Sequence, residues 1–133
     1  MSAGLWPAET MRYTPEVLDH IRNPRNVGEI ENTTAKARVR SKTDGDMLQL
    51  HLLIEGDVIR DAKFKVYGCG AAIATGSMLT EMLIGMTTSE ARRISNEELS
   101  KKMGGLPPEK IHCSVLAEQA IHEALSNREE SQL

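Results

Sequence analysis

The stretch "VYGCGAAIATG", Val66 to Gly76, decides how this chain must be read. Polar and apolar residues alternate up to it, and small and apolar residues follow it at helical spacing. A strand is therefore expected to end, and a helix to begin, inside it. At that junction Cys69 stands between Gly68 and Gly70, in a chain with only two cysteines. Glycines on either side let the backbone bend sharply and leave room around the sulfur. A thiol at a helix N-terminus meets unpaired N–H groups and the positive end of the helix dipole, which favour its thiolate.

Upstream of the bend lie three alternating runs. "AKARVRS" sets Ala35, Ala37 and Val39 against Lys36, Arg38 and Arg40. "MLQLHLLI" puts Leu48, Leu50, Leu52 and Ile54 on one face, and "VIRDAKFKVY" sets Ala62, Phe64 and Val66 against Asp61, Lys63 and Lys65. "EGD" joins the last two, so the runs predict an antiparallel meander with one solvated face. Before them, "TPEVLDHIRN" has a helix start: Thr14 as N-cap, Pro15 at the first helical position and Glu16 in the first turn. "NPRNVGEIENTTA" is rich in turn formers and reads as a loop.

Downstream, Ala71, Ala74, Met78 and Met82 recur at helical spacing, as do Leu79 and Leu83. "TTSEARRI" and "SNEELSKKM" read as two shorter helices, each with Ser or Thr near its start and acids in its first turn. "GGLPPEK" breaks the pattern. "CSVLAEQAIHEALS" is a final amphipathic helix, with Leu116, Ala120 and Ala124 in line and Val115 beside them. Strands first and helices after give an α+β class: a three-stranded antiparallel sheet packed against several helices. The expectation is one domain over residues 1–133, with 1–10 and 127–133 as flexible ends.

Composition narrows the partners. Hydrophobic content of 40% and charged content of 26% are ordinary for a soluble domain, and 3% aromatics imply an aliphatic, methionine-rich core. A net charge of -3 gives no electrostatic reason to expect nucleic acid or an anionic membrane. No apolar run approaches the roughly 20 residues that span a bilayer. "MSAGLWPAET" lacks the basic start and continuous apolar stretch of a secretory signal. The expected compartment is the cytoplasm, with both thiols reduced.

Chemistry-bearing residues fall in three loops. Cys113 begins the last helix with His112 beside it, an imidazole able to share a metal ion with the thiol. In "TDGDM", Asp44 and Asp46 flank Gly45 where the second strand begins. In a meander, the start of the second strand and the end of the third share one end of the sheet, so Asp46 and Cys69 are expected to be neighbours. Each feature also has a plainer reading. Single cysteines are often buried structural residues, and "DGD" is commonly a solvated turn. His20, His51 and His122 read as surface or boundary residues, and the methionines as core filling. Spacing alone leaves the metal site and ordinary structure both open, because the Cys-x-x-Cys pairs of ordinary zinc modules are missing.

Longer stretches go further. "YTPEVLDHIRNPRNVGEI", "DAKFKVYGCGAAIATGSMLTEML" and "LPPEKIHCSVLAEQAI" strongly resemble the IscU/NifU N-terminal-domain family of iron–sulfur cluster assembly scaffold proteins. The likeness runs from about Met11 to Ala124, carried by "NPRN", by "YGCG" with its following "AIA", and by "KIHC". It implies a compact α+β domain with a cluster site at one end of the sheet. Such a protein receives sulfur from a cysteine desulfurase and iron from a donor, and assembles a transient 2Fe–2S cluster. It then hands the cluster to apo acceptor proteins, and is a scaffold rather than an enzyme. By position, Cys69 and Cys113 match the family's second and third cluster cysteines, and His112 the adjacent metal-ligating histidine. Asp46 matches the aspartate that keeps the cluster labile, and Cys113 is implied as the persulfide acceptor.

Two positions depart from that pattern. The family's first cysteine sits in an Ala-Cys-Gly-Asp setting, and here "TDGD" puts Asp44 in its place. A carboxylate is a hard oxygen ligand where iron–sulfur clusters prefer thiolates, although aspartate binds iron, and zinc at about 2.0–2.2 Å. Three readings follow. One is a natural variant with mixed ligation by Asp44 or Asp46, Cys69, His112 and Cys113, and a more labile cluster. Another is a diverged paralogue that binds zinc or iron, or carries sulfur, without building clusters. The last is an engineered exchange at position 44.

The other departure lies in the chaperone-binding loop, where "LPPEK" carries Glu109 for the family's valine. Loss of a buried valine contact argues against docking of an Hsp70 and its J-type partner through Leu106–Lys110, while the proline pair favours an extended segment. Two other classes compete. A thiol enzyme would use Cys113 as nucleophile and His112 as base, but adjacent residues at a helix start rarely point at each other. A zinc-stabilised module would only bind the desulfurase, and metal content separates it from the scaffold.

Overall fold

The alternating runs become a meander. In the computed structural model, which describes residues 13–42 and 45–127, β1 (Ala35–Arg40), β2 (Met47–Glu55) and β3 (Val58–Tyr67) form one antiparallel sheet in that order. Burial alternates along β1, with Ala35, Ala37 and Val39 inward. Leu48, Leu50, Leu52, Ile54, Ala62 and Phe64 complete the inner face. The expectations for residues 1–10 and 128–133, and for Asp44, lie outside the described residues.

The outer face departs from its expectation. Met47, Gln49 and His51 of β2 are buried too, so the face is solvated only in part. The turn-rich segment after the first helix covers it. Gly28 N–H donates to the Phe64 carbonyl at 2.9 Å and Phe64 N–H to the Asn26 carbonyl at 3.0 Å, which lays this segment along β3. Ile30 N–H then donates to His51 Nδ1 at 3.1 Å. His51 is therefore a satisfied interior histidine, not a boundary residue.

Local signals at the helix ends hold. Thr14 caps α1 (Pro15–Arg22) by accepting the Val17 N–H. Thr87 and Glu90 form a reciprocal capping box on α3 (Thr88–Arg92), and Ser95 caps α4 (Asn96–Lys102). Between β3 and α3 runs α2 (Gly70–Leu83), and α5 (Ile111–Ser126) closes the chain's described part. Both pack on the inner face, α2 against β3 and α5 against β1 and β2.

Helix α2 is buried nearly all round, where its spacing suggested a single apolar stripe. It sits between the sheet, α1, α4 and α5, so Thr75, Ser77 and Thr80 are interior as well as Ala71, Ala74, Leu79 and Leu83. Their hydroxyls are satisfied at home, as burial requires. Thr75 Oγ1 donates to the Ala71 carbonyl at 2.6 Å and Thr80 Oγ1 to the Ser77 carbonyl at 2.8 Å. Ser77 Oγ accepts the Arg25 N–H at 2.9 Å and lies 2.6 Å from His20 Nδ1. So His20 is buried under α2, a correction to its surface reading, and burial holds its pKa below the ordinary histidine value. His122 is exposed as expected. On α5, Leu116, Ala120 and Ala124 face the core, but Val115 faces solvent.

Candidate metal centre

Register places the site. Met47 pairs with Tyr67, so the residue before β2 lies beside the residue after β3. Those residues are Asp46 and Gly68, and a Cβ on Gly68 would stand 2.6 Å from Asp46 Cγ. A side chain at 68 would push the carboxylate aside, so glycine there admits Asp46 to the bend. Cys69 follows as the N-cap of α2, in extended conformation. Cys113 reaches the same point from the first turn of α5.

The donors converge. Cys69 Sγ lies 3.7 Å from Asp46 Oδ2 and 3.9 Å from Cys113 Sγ. His112 Nε2 lies 3.6 Å from Cys113 Sγ and 3.7 Å from Asp46 Oδ2. Ligand atoms of Asp46, Cys69 and Cys113 all fall within 4.8 Å of one another. Two ligands on one tetrahedral zinc, with bonds of about 2.0–2.3 Å, are separated by roughly 3.3–3.8 Å. Asp46, Cys69 and Cys113 match that shell with small adjustments, and His112 approaches it beside Cys113 and Asp46.

His112 is aimed by the backbone. Its Nδ1 is 3.1 Å from the Glu109 carbonyl. An N–H donated there directs Nε2 toward the thiols and Asp46, the usual way a ligating histidine is oriented. The tautomer is assigned from this geometry. Adjacent residues therefore do point at one another here, contrary to the sequence expectation. That does not make Cys113 a nucleophile of the protease kind, because His112 Nδ1 faces a backbone carbonyl and not the carboxylate of a triad.

The two thiols divide one proton unequally. Cys113 donates its S–H toward Cys69, which lowers the Cys69 pKa to about 6; the Ala72 N–H at the helix start and the Lys110 charge assist, against burial and Asp46. Cys113 is pushed well above the ordinary range by that same hydrogen bond and by its burial. Of the two thiols, Cys69 is the one whose thiolate the pairing favours. Alkylation of the metal-free protein is accordingly expected to titrate at Cys69 with a midpoint near pH 6. A free thiol would titrate near about pH 8.5, and peptide mapping should find Cys113 unmodified throughout. A Cys69 midpoint at the free-thiol value would overturn the pairing.

The loop before α5 corrects a further expectation. Pro107 is extended, but Pro108–Lys110 is already a turn of 3-10 helix leading into α5. Glu109 points to solvent, so its charge enters no core and replaces no buried contact within this fold. Sequence reading missed the Glu109 carbonyl as the group that orients His112. Only the three-residue spacing ahead of a helix start hints at it, since a backbone carbonyl has no residue-type signal.

A recess of about 860 Å³ elsewhere, lined by Glu29, Lys36, Arg38, Gln49 and His51 among others, shares no residue with the metal centre. No described helix is long and apolar enough to cross a membrane.

The sequence model for the NifU-like N terminal domain matches residues 12–133. This chain belongs to that family. The IscU scaffold protein for iron–sulfur cluster assembly from Escherichia coli (strain K12) is 41% identical to this NifU-like domain over 121 residues, covering 88% of this chain and 94% of that protein. Iron sulfur cluster assembly protein 1 of Trachipleistophora hominis is 42% identical over 122 residues, 90% of this chain and 88% of that one. A crystal structure described as a cluster assembly scaffold of the SUF system of Fervidobacterium islandicum superposes with a TM-score of 0.73. It is 23% identical, covering 89% of this chain and 99% of its own, and bears on the fold alone.

Proposed function

We propose that this NifU-like domain is an iron–sulfur cluster assembly scaffold. The observation that carries the reading is the pair of thiols 3.9 Å apart, with the Asp46 carboxylate beside Cys69 and the His112 imidazole beside Cys113. Relatives that are named as assembly proteins, over nearly the whole chain, support it. The cluster is cargo. Cys69, Cys113 and His112 hold it as a 2Fe–2S unit, with Asp44 or Asp46 completing the shell. Hard oxygen donors in place of a third thiolate leave the cluster loosely held, which suits transfer.

Sulfur arrives from a cysteine desulfurase, with Cys113 as acceptor. The Cys113 sulfur attacks the outer sulfur of the enzyme's persulfide, the enzyme's cysteine leaves as thiolate, and the Cys113 proton passes to Cys69. An iron donor and apo acceptor proteins complete the partners, in the cytoplasm. Leu106–Lys110 remains a surface for an Hsp70 with its J-type partner, with outward Glu109 selecting a partner that tolerates acid there. Zinc fits the same donors and would occupy the site when sulfide is absent.

Anaerobic reconstitution with ferrous iron, cysteine and a cysteine desulfurase tests this. The expected product has a visible charge-transfer spectrum and iron matched by acid-labile sulfide. Zinc or mononuclear iron without sulfide would mean that the site survives and cluster assembly does not.

A further inference from the structure

Cys69 and Cys113 are the only cysteines of the chain, and their sulfurs already stand at contact distance, 3.9 Å. With Asp44 at the family's first cysteine position, no third thiol competes for what either one carries. We infer that this pair reduces the sulfur it receives: the persulfide on Cys113 is attacked by Cys69, yielding a Cys69–Cys113 disulfide and free sulfide. The step rests on the sulfur-receiving role proposed above.

Atoms and electrons balance within the chain. One cysteine sulfur attacks the inner sulfur of its neighbour's persulfide, and an S–S bond forms between the two side chains. The bond to the outer sulfur breaks, and that sulfur departs as H2S, keeping its own proton and taking the one that Cys69 gives up. The sulfane sulfur gains two electrons, which the two cysteines lose. A cluster needs sulfur at the sulfide level, so this supplies one sulfide without an external electron carrier. Resetting the pair then requires a dithiol reductant.

Geometry favours the exchange. A disulfide of about 2.05 Å needs the sulfurs to close by roughly 2 Å. Cys69 sits outside the strand ladder, as the N-cap of α2, so the approach needs side-chain rotation and a small shift of the bend and leaves the sheet intact. Cys113 is anchored in α5 and shielded, so a persulfide on it meets Cys69 before it meets a solvent thiol. Cys69 is half-buried and presents the outward side of the pair.

The test uses metal-free, pre-reduced protein and a desulfurase that carries its own persulfide and has been freed of cysteine. The wild type is expected to release about one sulfide per chain, lose the mass of two hydrogens, and give a crosslinked Cys69–Cys113 peptide. Cys69→Ser is expected to keep the added mass of one sulfur, Cys113→Ser to take up none, and both to release at least about tenfold less sulfide. A wild type that holds a stable sulfur adduct, or serine variants that release sulfide equally well, would overturn the inference. The crosslinked peptide is read in the wild type alone, so poor folding of a variant cannot mask it. Failure of the scaffold reading shows elsewhere: reduced protein given ferrous iron and sulfide directly would hold no iron-bound sulfide, while metal-free sulfide release would persist.

Discussion

Replacing Cys113 by alanine is expected to abolish retention of iron together with sulfide while leaving the fold standing. Cys113 is one of two thiols available, and iron–sulfur clusters depend on thiolate ligation. Its loss leaves Cys69 with oxygen and imidazole donors, a set that suits zinc or single ferrous ions better than a bridged cluster. Loss of an outer-shell partner alone typically costs about 10–100-fold in metal affinity, so loss of a direct thiolate should reduce bound sulfide at least tenfold. The fold should survive, because a small, nearly apolar side chain replaces a thiol whose hydrogen bonds serve the site. Circular dichroism and elemental analysis on one sample separate the two effects. Asp44→Cys is the opposite arm. It restores a third thiolate and should lengthen the life of the reconstituted cluster severalfold, whereas an unchanged lifetime would mean that position 44 takes no part in holding it. Full iron and sulfide content in Cys113→Ala would remove Cys113 from the ligand set.

Phe64→Ala should be the most damaging change in the core. Phe64 is the only phenylalanine, fully inward on β3, in a chain with 3% aromatics. Truncating a buried phenylalanine costs about 3–5 kcal/mol, a large share of the roughly 5–15 kcal/mol that holds a domain of this size. The ring also packs directly on the backbone of α2, since a Cβ on Gly76 would lie 2.6 Å from its Cδ2. Gly76→Ala should therefore destabilise the wild type by about 1–3 kcal/mol through overpacking. The same change should cost less in a Phe64→Leu background, where the smaller side chain can yield. Urea unfolding of the four proteins completes that cycle. Strictly additive costs would show that ring and helix do not press on each other.

The candidate metal centre is where reading the residues went furthest and where it stopped. Alternation along β2 and β3 is enough to place Asp46 beside the bend at Cys69, because a meander returns the end of its third strand to the start of its second. The approach of Cys113 and His112 was implied only by the resemblance, since no local pattern says which end of the sheet a final helix will start from. The two misread histidines fail for one physical reason. His20 and His51 lie in segments whose periodicity puts them off the apolar stripe, and each is buried by a non-local partner: Ser77 of α2 over one, the Ile30 segment over the other. Turn-rich sequence between α1 and β1 carries no periodic signal, so its coverage of the sheet was not legible. Val115 stands beside the buried line on α5 and is turned outward by the helical rotation of one residue.

By itself the sequence determined the elements and their order. Alternation with a period of two, the caps at Thr14, Thr87 and Ser95, and the glycine-flanked cysteine are all properties of neighbours along the chain, where local sterics and hydrogen bonding decide. Tertiary structure alone decided which groups meet across the fold. It set the 3.9 Å between the two sulfurs, the proton shared unequally by them, and the turn of His112 by a backbone carbonyl. Those distances arise from how α5 packs on the sheet and from the space Gly68 leaves for Asp46, and such packing is a property of the whole core, written in no single stretch of residues.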